Sequence, residues 1–338
     1  MKRYATIKDI ARELGVAPST VSRALAGSSE VSEKMRTLVQ EKAYEMNYRP
    51  NVMARNLSSS RSGVIGVIVP EFETGFFPRV IIGIQEELSK AGYRILITQS
   101  GESAEKEKEN LDLLLDNMVE GIIVSVTKEG GNEEAFQRVI KSKIPVVFFN
   151  RVYNLPRASK VIVDDRTLAY DSVVHLLEQG CRRIVHLAGP LNMQVAKHRV
   201  EGYRDALAAY DIEAGYTVME VDGISLDNGY SAMKDILAGG SDIDAVFCFN
   251  DNIAVGAIQA IKDAGKRIPD DIAVVGFSET EMSTIVEPHL TTTAQPRYQM
   301  GIEAAKIMVD QIMTKGRDLP TNLTLSAKLN IRESSRKK

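Results

Sequence analysis

The chain has 338 residues, enough for two or three domains, and is 44% apolar and 26% charged, the make-up of an ordinary globular protein. No apolar run reaches the ~18 residues of a membrane span, and the start, MKRYATIKDIARELG, lacks the apolar stretch of a secretory signal, so a cytoplasmic protein with no membrane contact is expected. The net charge of −3 hides an asymmetry: residues 1–62 carry eleven Lys/Arg against six Asp/Glu, and the remainder 31 against 39. A small basic head on an acidic body points to a polyanionic partner for the head.

In the head, Thr6 stands three residues before Asp9, the pattern of a helix-capping box. Ile7, Ile10, Ala11 and Leu14 repeat at helical spacing, and Gly15 supplies the stop. Pro18 opens a second helix, where its missing N–H costs nothing. On that helix Val21, Ala24 and Leu25 share one arc, while Ser19, Ser22 and Arg23 share the other. The second arc is slender, polar and bears one long cation, which fits a narrow, negatively charged groove. Ser32 reads as the cap of a third helix, EKMRTLVQEKAYEMNY, with Met35, Leu38, Val39, Lys42 and Met46 along one side. Two short helices split by a turn and buttressed by a third form a helix-turn-helix unit.

From residue 63 short Val/Ile-rich runs alternate with amphipathic helices. The runs lie at 63–69, 94–98, 121–126, 145–149, 160–164, 183–189, 244–250 and 271–277. Such runs with crossover helices predict parallel sheets covered on both faces, here two doubly wound α/β lobes. TTTAQP and LTLSAKLNIRES would add crossovers and final strands. Ligands of such sheets bind beyond the carboxyl ends of the strands. Those ends carry Phe76 and Phe77, Asn150 and Arg151, Asn250 and Asp251, and Ser278 and Glu279, with Arg199 on a helix after the run at 183–189. Enzyme readings find no support: His175, His186, His198 and His289 form no metal pattern, and neither a nucleophile elbow nor a phosphate loop occurs. Cys181 and Cys248 read as buried reduced thiols, and no cofactor is expected.

The head residues Thr6, Asp9, Ile10, Ala11, Gly15, Val16, Ser19, Thr20, Val21, Ser22, Arg23 and Leu25 together resemble the signature of the LacI/GalR repressor family. The match continues through Val31-Ser32, Asn47-Tyr48-Arg49-Pro50-Asn51, Ala54-Arg55 and Leu57. In the body it runs through A-G-P (188–190), R-x-x-G-Y (199–203), N-D-x-I-A-x-G (250–256), the run at 268–277 and I-R-E-S (331–334), so it covers nearly the whole chain. The resemblance implies a helix-turn-helix domain over 1–50, a hinge helix and linker over 51–61, and a periplasmic-binding-protein-like domain of two lobes over 62–338. It implies DNA contacts from Thr6, Pro18, Ser19, Thr20, Ser22, Arg23, Ser32, Tyr48, Asn51, Ala54 and Leu57. Arg23 would read a base edge and Leu57 would wedge into the minor groove. It further implies an effector held by Phe76, Phe77, Asn150, Arg151, Arg199, Asn250 and Ser278, with Phe77 stacking on a ring.

Departures from the family pattern matter. Ala17 stands where serine is common, Ser278 and Asn150 where aspartates are common, and Met193 and Val195 make a purine ligand unexpected. With two acidic positions lost and Arg151 and Arg199 kept, a less negative pocket favouring an acidic sugar derivative is one expectation. The opposing one is that Glu71, Asp164, Asp165 or Glu279 restores the balance. The function implied is a homodimeric repressor of carbohydrate-related genes, acting on a pseudo-palindromic operator under a small sugar-type effector. A regulator controlled by a phosphorylated protein partner, and a sugar-binding protein that binds no DNA, are the alternatives. The chain stops at SSRKK without a Leu/Ile heptad after residue 334, so a dimer rather than a tetramer is expected.

Overall fold

The computed structural model describes residues 5–48, 62–212, 217–314 and 319–336. The chain divides into two compact units, Met1–Ser62 and Gly63–Lys338. Among its described residues the first holds three helices, α1 (Ile7–Leu14), α2 (Pro18–Leu25) and α3 (Glu33–Glu45). Thr6 and Asp9 close the capping box, and Gly15 ends α1 with φ of 64°, a conformation glycine adopts freely. Ile10, Ala11, Val21, Ala24, Val31, Val39 and Ala43 form the head's core. Two details of α3 differ from the sequence reading. Its last helical residue is Glu45. Leu38 is 44% exposed, because Val39 and Ala43, four residues apart, form the buried seam and leave position 38 at its edge.

The second unit is built on two six-stranded sheets. One is ordered β11-β5-β4-β3-β1-β2, from β1 (Val64–Val69), β2 (Arg94–Gln99), β3 (Ile122–Val124), β4 (Val146–Phe149), β5 (Ser159–Val163) and β11 (Asn322–Leu325). The other is ordered β12-β10-β9-β8-β6-β7, from β6 (Ile184–Ala188), β7 (Thr217–Glu220), β8 (Ala245–Cys248), β9 (Ala273–Phe277), β10 (Thr291–Ala294) and β12 (Lys328–Asn330). The first lobe carries α4 (Phe76–Lys90), α5 (Ala104–Asp116) and α6 (Glu133–Lys141). Then follow α7 (Asp165–Glu178), α8 (Gln194–Ala209), α9 (Leu226–Ala238), α10 (Asp251–Asp263), α11 (Met282–Ile285) and α12 (Arg297–Met313).

Central strands β1, β3, β4, β8 and β9 are almost wholly buried, which is why they read as continuous apolar runs. Strand β7 escaped the sequence reading because it is a half-exposed edge strand, TVME, with no apolar run to signal it. Among the strands described, pairing is parallel except for β12, which runs antiparallel to β10.

The chain passes between the lobes three times: from β5 into α7, from β10 through α12 to β11, and from β11 to β12. Helix α12 packs on α4 through a pair of glycines. A methyl group on Gly301 would stand 2.0 Å from the Val80 carbonyl, and one on Gly83 2.3 Å from the Tyr298 carbonyl. The segment between β10 and α12 is therefore held to the first lobe at one end and the second at the other.

Candidate functional site

The head presents one polar face. Pro18, Ser19, Ser22 and Arg23 are exposed on α2, with Thr20 and Tyr48 half-buried. The opposite side of α2 is anchored by Val21 and Ala24. Among the described residues the hydroxyls of Ser19, Thr20 and Ser22 have no hydrogen-bond partner. Arg23 lies 3.3 Å from Glu30, an ion pair exposed on both sides that contributes at most about 1 kcal/mol. Ala17 leaves α2 without a side-chain cap, so the first-turn N–H groups of this helix end are without a side-chain acceptor. Thr6 and Ser32 are committed to capping: Thr6 Oγ1 accepts from the Asp9 N–H, and Ser32 Oγ from the Met35 N–H at 3.4 Å. Asn51, Ala54 and Leu57 lie outside the described residues.

In the second unit Phe76, Phe77, Asn150, Arg151, Arg199, Asn250 and Ser278 all line one cavity of about 40 Å³ between the lobes. They arrive from separate segments. The phenylalanines open α4 beyond β1, Asn150 and Arg151 follow β4, and Arg199 sits in α8. Asn250 caps α10 after β8, and Ser278 follows β9. Each parallel sheet brings its own strand ends to one edge, and the cavity is lined from the edges of both sheets. The volume holds no more than a few water molecules. A second opening of about 490 Å³ adjoins it and shares Arg151, with walls from residues 126–131, Glu133, 152–155 and 192–194.

Arg199 is the most constrained group. It is 3% exposed and lies between two rings, 3.7 Å from the Phe277 centroid and 4.5 Å from that of Phe249. Its Nε and Nη2 donate to Asp165 at 2.9 and 2.7 Å, and Nη1 donates to the Phe249 carbonyl at 2.5 Å. Burial raises the Asp165 carboxyl and lowers the Arg199 guanidinium, each against the pull of its partner. Arg151 Nη1 donates to both oxygens of Glu102 at 2.8 and 2.9 Å. Asn250 Oδ1 accepts from the Ile253 N–H, and its Nδ2 donates to the Ile224 carbonyl.

Two sequence expectations are corrected here. Each arginine has its own carboxylate, and Glu71 and Asp251 also line the cavity. The expected surplus of positive charge is absent, which removes the argument for an acidic ligand. Glu102 was not among the acids considered, because it reaches Arg151 from a turn 49 residues earlier. Phe77 is 2% exposed, edge-on to Phe149 and beneath the Arg151 guanidinium. It is a wall set in the core rather than an open stacking platform.

Asp251, placed at a strand end from the sequence but not counted among the effector contacts, also lines the cavity, and sequence reasoning left out Phe249 and Gln295. Phe249 precedes Asn250 at the same strand end and was legible from that rule. Gln295 follows β10, a strand identified only as part of a crossover. Asp251 is fully enclosed; it accepts from the Thr292 hydroxyl and from the N–H and hydroxyl of Thr280, and burial raises its carboxyl. Cys181 and Cys248 are buried thiols, and Cys181 Sγ donates to the Asp244 carbonyl at 3.7 Å. Among the described residues no group of His, Cys, Asp and Glu could hold a metal ion, and no helix is long and apolar enough to cross a membrane.

Comparison with known proteins matches both units. Residues 62–333 match the family of periplasmic binding proteins and sugar binding domain of LacI family, and residues 6–51 match the bacterial regulatory proteins of the lacI family. The HTH-type transcriptional repressor CytR of Escherichia coli (strain K12) is 33% identical over 311 residues, 91% of this chain and 90% of CytR. A lac repressor dimer bound to operator and the anti-inducer ONPF superposes with a TM-score of 0.86 at 26% identity, covering 98% of this chain and 99% of that one. A complex of the transcriptional regulator CelR with cellobiose gives 0.74 at 29% identity, with the same coverage. With the head, both lobes and the cleft accounted for, the chain belongs to the LacI family of bacterial regulatory proteins.

Proposed function

We propose that this protein is a sequence-specific DNA-binding repressor of carbohydrate-related genes, acting in the cytoplasm as a homodimer whose DNA affinity is set by a neutral sugar bound between the two lobes. The similar proteins named above are regulators, two of them a repressor on operator DNA and a regulator holding a sugar. No catalytic role is assigned. Each head would read half of a pseudo-palindromic operator, with Arg23 supplying base-edge donors.

The observation that carries the effector reading is the convergence of seven polar and aromatic side chains from both lobes on one cleft in which every cation is already matched. Hydroxyl groups suit such a site because each donates and accepts. The cavity of about 40 Å³ lined by these residues has room only for water, so a sugar reaches them by parting the lobes about the three crossovers. Arg297 spans them, donating to the Gly75 carbonyl at 2.9 Å on one side and to the Glu279 carbonyl at 2.5 Å on the other. Effector binding is in this way a lobe movement, the element that both ligands bias.

The test uses the full chain. Its preferred DNA site is selected from random duplexes, and affinity for that site is measured with and without a panel of neutral mono- and disaccharides that includes cellobiose. At least one sugar is expected to change DNA affinity about tenfold, within the usual coupling range. Failure to select any sequence would reject the DNA-reading role. A selected site that no sugar affects would reject the carbohydrate effector.

A further inference from the structure

Gln295 is 5% exposed and lines the inter-lobe cavity. Its Oε1 accepts a hydrogen bond from the Ser278 hydroxyl at 3.0 Å. Its Nε2 is buried and has no partner. A buried amide N–H₂ without an acceptor is costly, and such a group is met by a bound water, an ion or a ligand. Both residues are pinned by one backbone atom: the N–H of Ser278 donates to the Thr293 carbonyl at 2.9 Å and that of Gln295 to the same carbonyl at 3.1 Å. Ser278 holds φ of 120° and Glu279 φ of 56°, a strained pair for side-chain-bearing residues. Glu279 is clamped by Asn330 and Arg332. The serine is thus fixed in place before any ligand arrives.

We propose that Ser278 and Gln295 form a specificity-determining pair: the serine hydroxyl holds the glutamine carbonyl and turns the amide N–H₂ into the cavity, where it donates to an oxygen of the effector. This deepens the effector reading above and rests on it. An aspartate at 278 would have no proton to give to Oε1 and would offer the cavity a negative acceptor. Serine with glutamine offers a neutral donor. The site therefore takes a neutral sugar with an oxygen at this point, as a hydroxyl acting as acceptor or a carbonyl. It rejects the corresponding amino sugar, whose ammonium group has only protons to give. Gln295 also stands on the crossover between β10 and α12, two residues before Arg297. A bond from the effector to this amide acts directly on the segment about which the lobes move.

Titration calorimetry on the full chain with the neutral sugar panel, cellobiose included, tests the pair. For a sugar that binds the wild type, Gln295→Glu is expected to weaken binding about tenfold or more. Gln295→Met removes the donor without adding charge, is expected to weaken binding similarly, and keeps the result readable if the glutamate variant folds poorly. Ser278→Ala is expected to cost about three- to fivefold, as a freed amide loses its preferred orientation. Ser278→Ala combined with Gln295→Glu should bind no more weakly than Gln295→Glu alone, the coupling expected of two residues that act on the sugar through one hydrogen-bonded pair. Across the single-position aminodeoxy analogues of that sugar, one should bind Gln295→Glu more tightly than the wild type. Wild-type affinity in both Gln295 variants overturns the pair and leaves the carbohydrate reading standing. Failure of every sugar to bind the wild type overturns both.

Discussion

The head and the cleft treat their polar side chains in opposite ways. On α2 the residues proposed to read DNA are exposed apart from the half-buried Thr20, and three hydroxyls have no partner among the described residues. The one cation, Arg23, is held only by a surface pair with Glu30. In the cleft Arg199, Arg151, Asn250 and Asp251 are buried and already hydrogen-bonded to their own protein. The partners proposed above account for the difference. A DNA duplex is rigid and brings its own pattern of acceptors, so the protein need only offer donors at the right spacing. A small sugar is engulfed, and its site must be stable when empty, which a cluster of unpaired buried charges would not be.

The contrast breaks most sharply at Asp165. Asp165→Ala strands the buried Arg199 charge and should cost about 3–5 kcal/mol of body stability, with Asp165→Asn milder because it keeps an acceptor. Chemical denaturation followed separately for the head and body transitions checks this. A loss below about 1 kcal/mol would mean that the pair is not the support described. An exposed position such as Ser22 should move stability by no more than about 0.5 kcal/mol.

Acid separates the two units next. All four histidines lie in the body. His186 is wholly enclosed, stacked on Phe247 at 4.6 Å, its Nδ1 against the Phe247 carbonyl at 2.9 Å. Burial pushes its pKa down to about 4. The unfolded chain protonates this ring near pH 6.5 and the folded one refuses the proton, so the contribution is full above pH 6.5 and is lost as pH falls from there toward 4. The loss is on the order of 3 kcal/mol. His186→Phe should flatten that part of the body's stability profile. An unchanged slope between pH 7 and 4 would exclude His186 as its source.

The smallest effect sharpens the comparison from the other side. Arg23→Ala should leave head stability within about 0.5 kcal/mol yet remove about 1–3 kcal/mol of discrimination at one base pair. Selection of bound sequences with the variant checks it. A consensus of full strength at every position would remove Arg23 from the readers.

Much of the framework follows from local pattern. Thr6 with Asp9, Gly15 and Pro18 mark helix ends through backbone hydrogen bonding within a few residues, which sequence order alone specifies. The Val/Ile runs mark central strands because both faces of those strands must be apolar. Because the strands of each parallel sheet end at one edge, Phe76 with Asn150 and Asn250 with Ser278 were legible as neighbours from the sequence. What tertiary structure decided was the pairing. Glu102 meets Arg151 across 49 residues, Asp165 meets Arg199 across 34, and Ser278 meets Gln295 across 17. Hydrogen bonds act over about 3 Å, and no periodicity along the chain says which of several acids will come that close. The sequence alone determined that donors and acceptors gather in the cleft. Only the folded chain decided which of them are consumed within the protein and which, like the Gln295 amide, are left for a ligand.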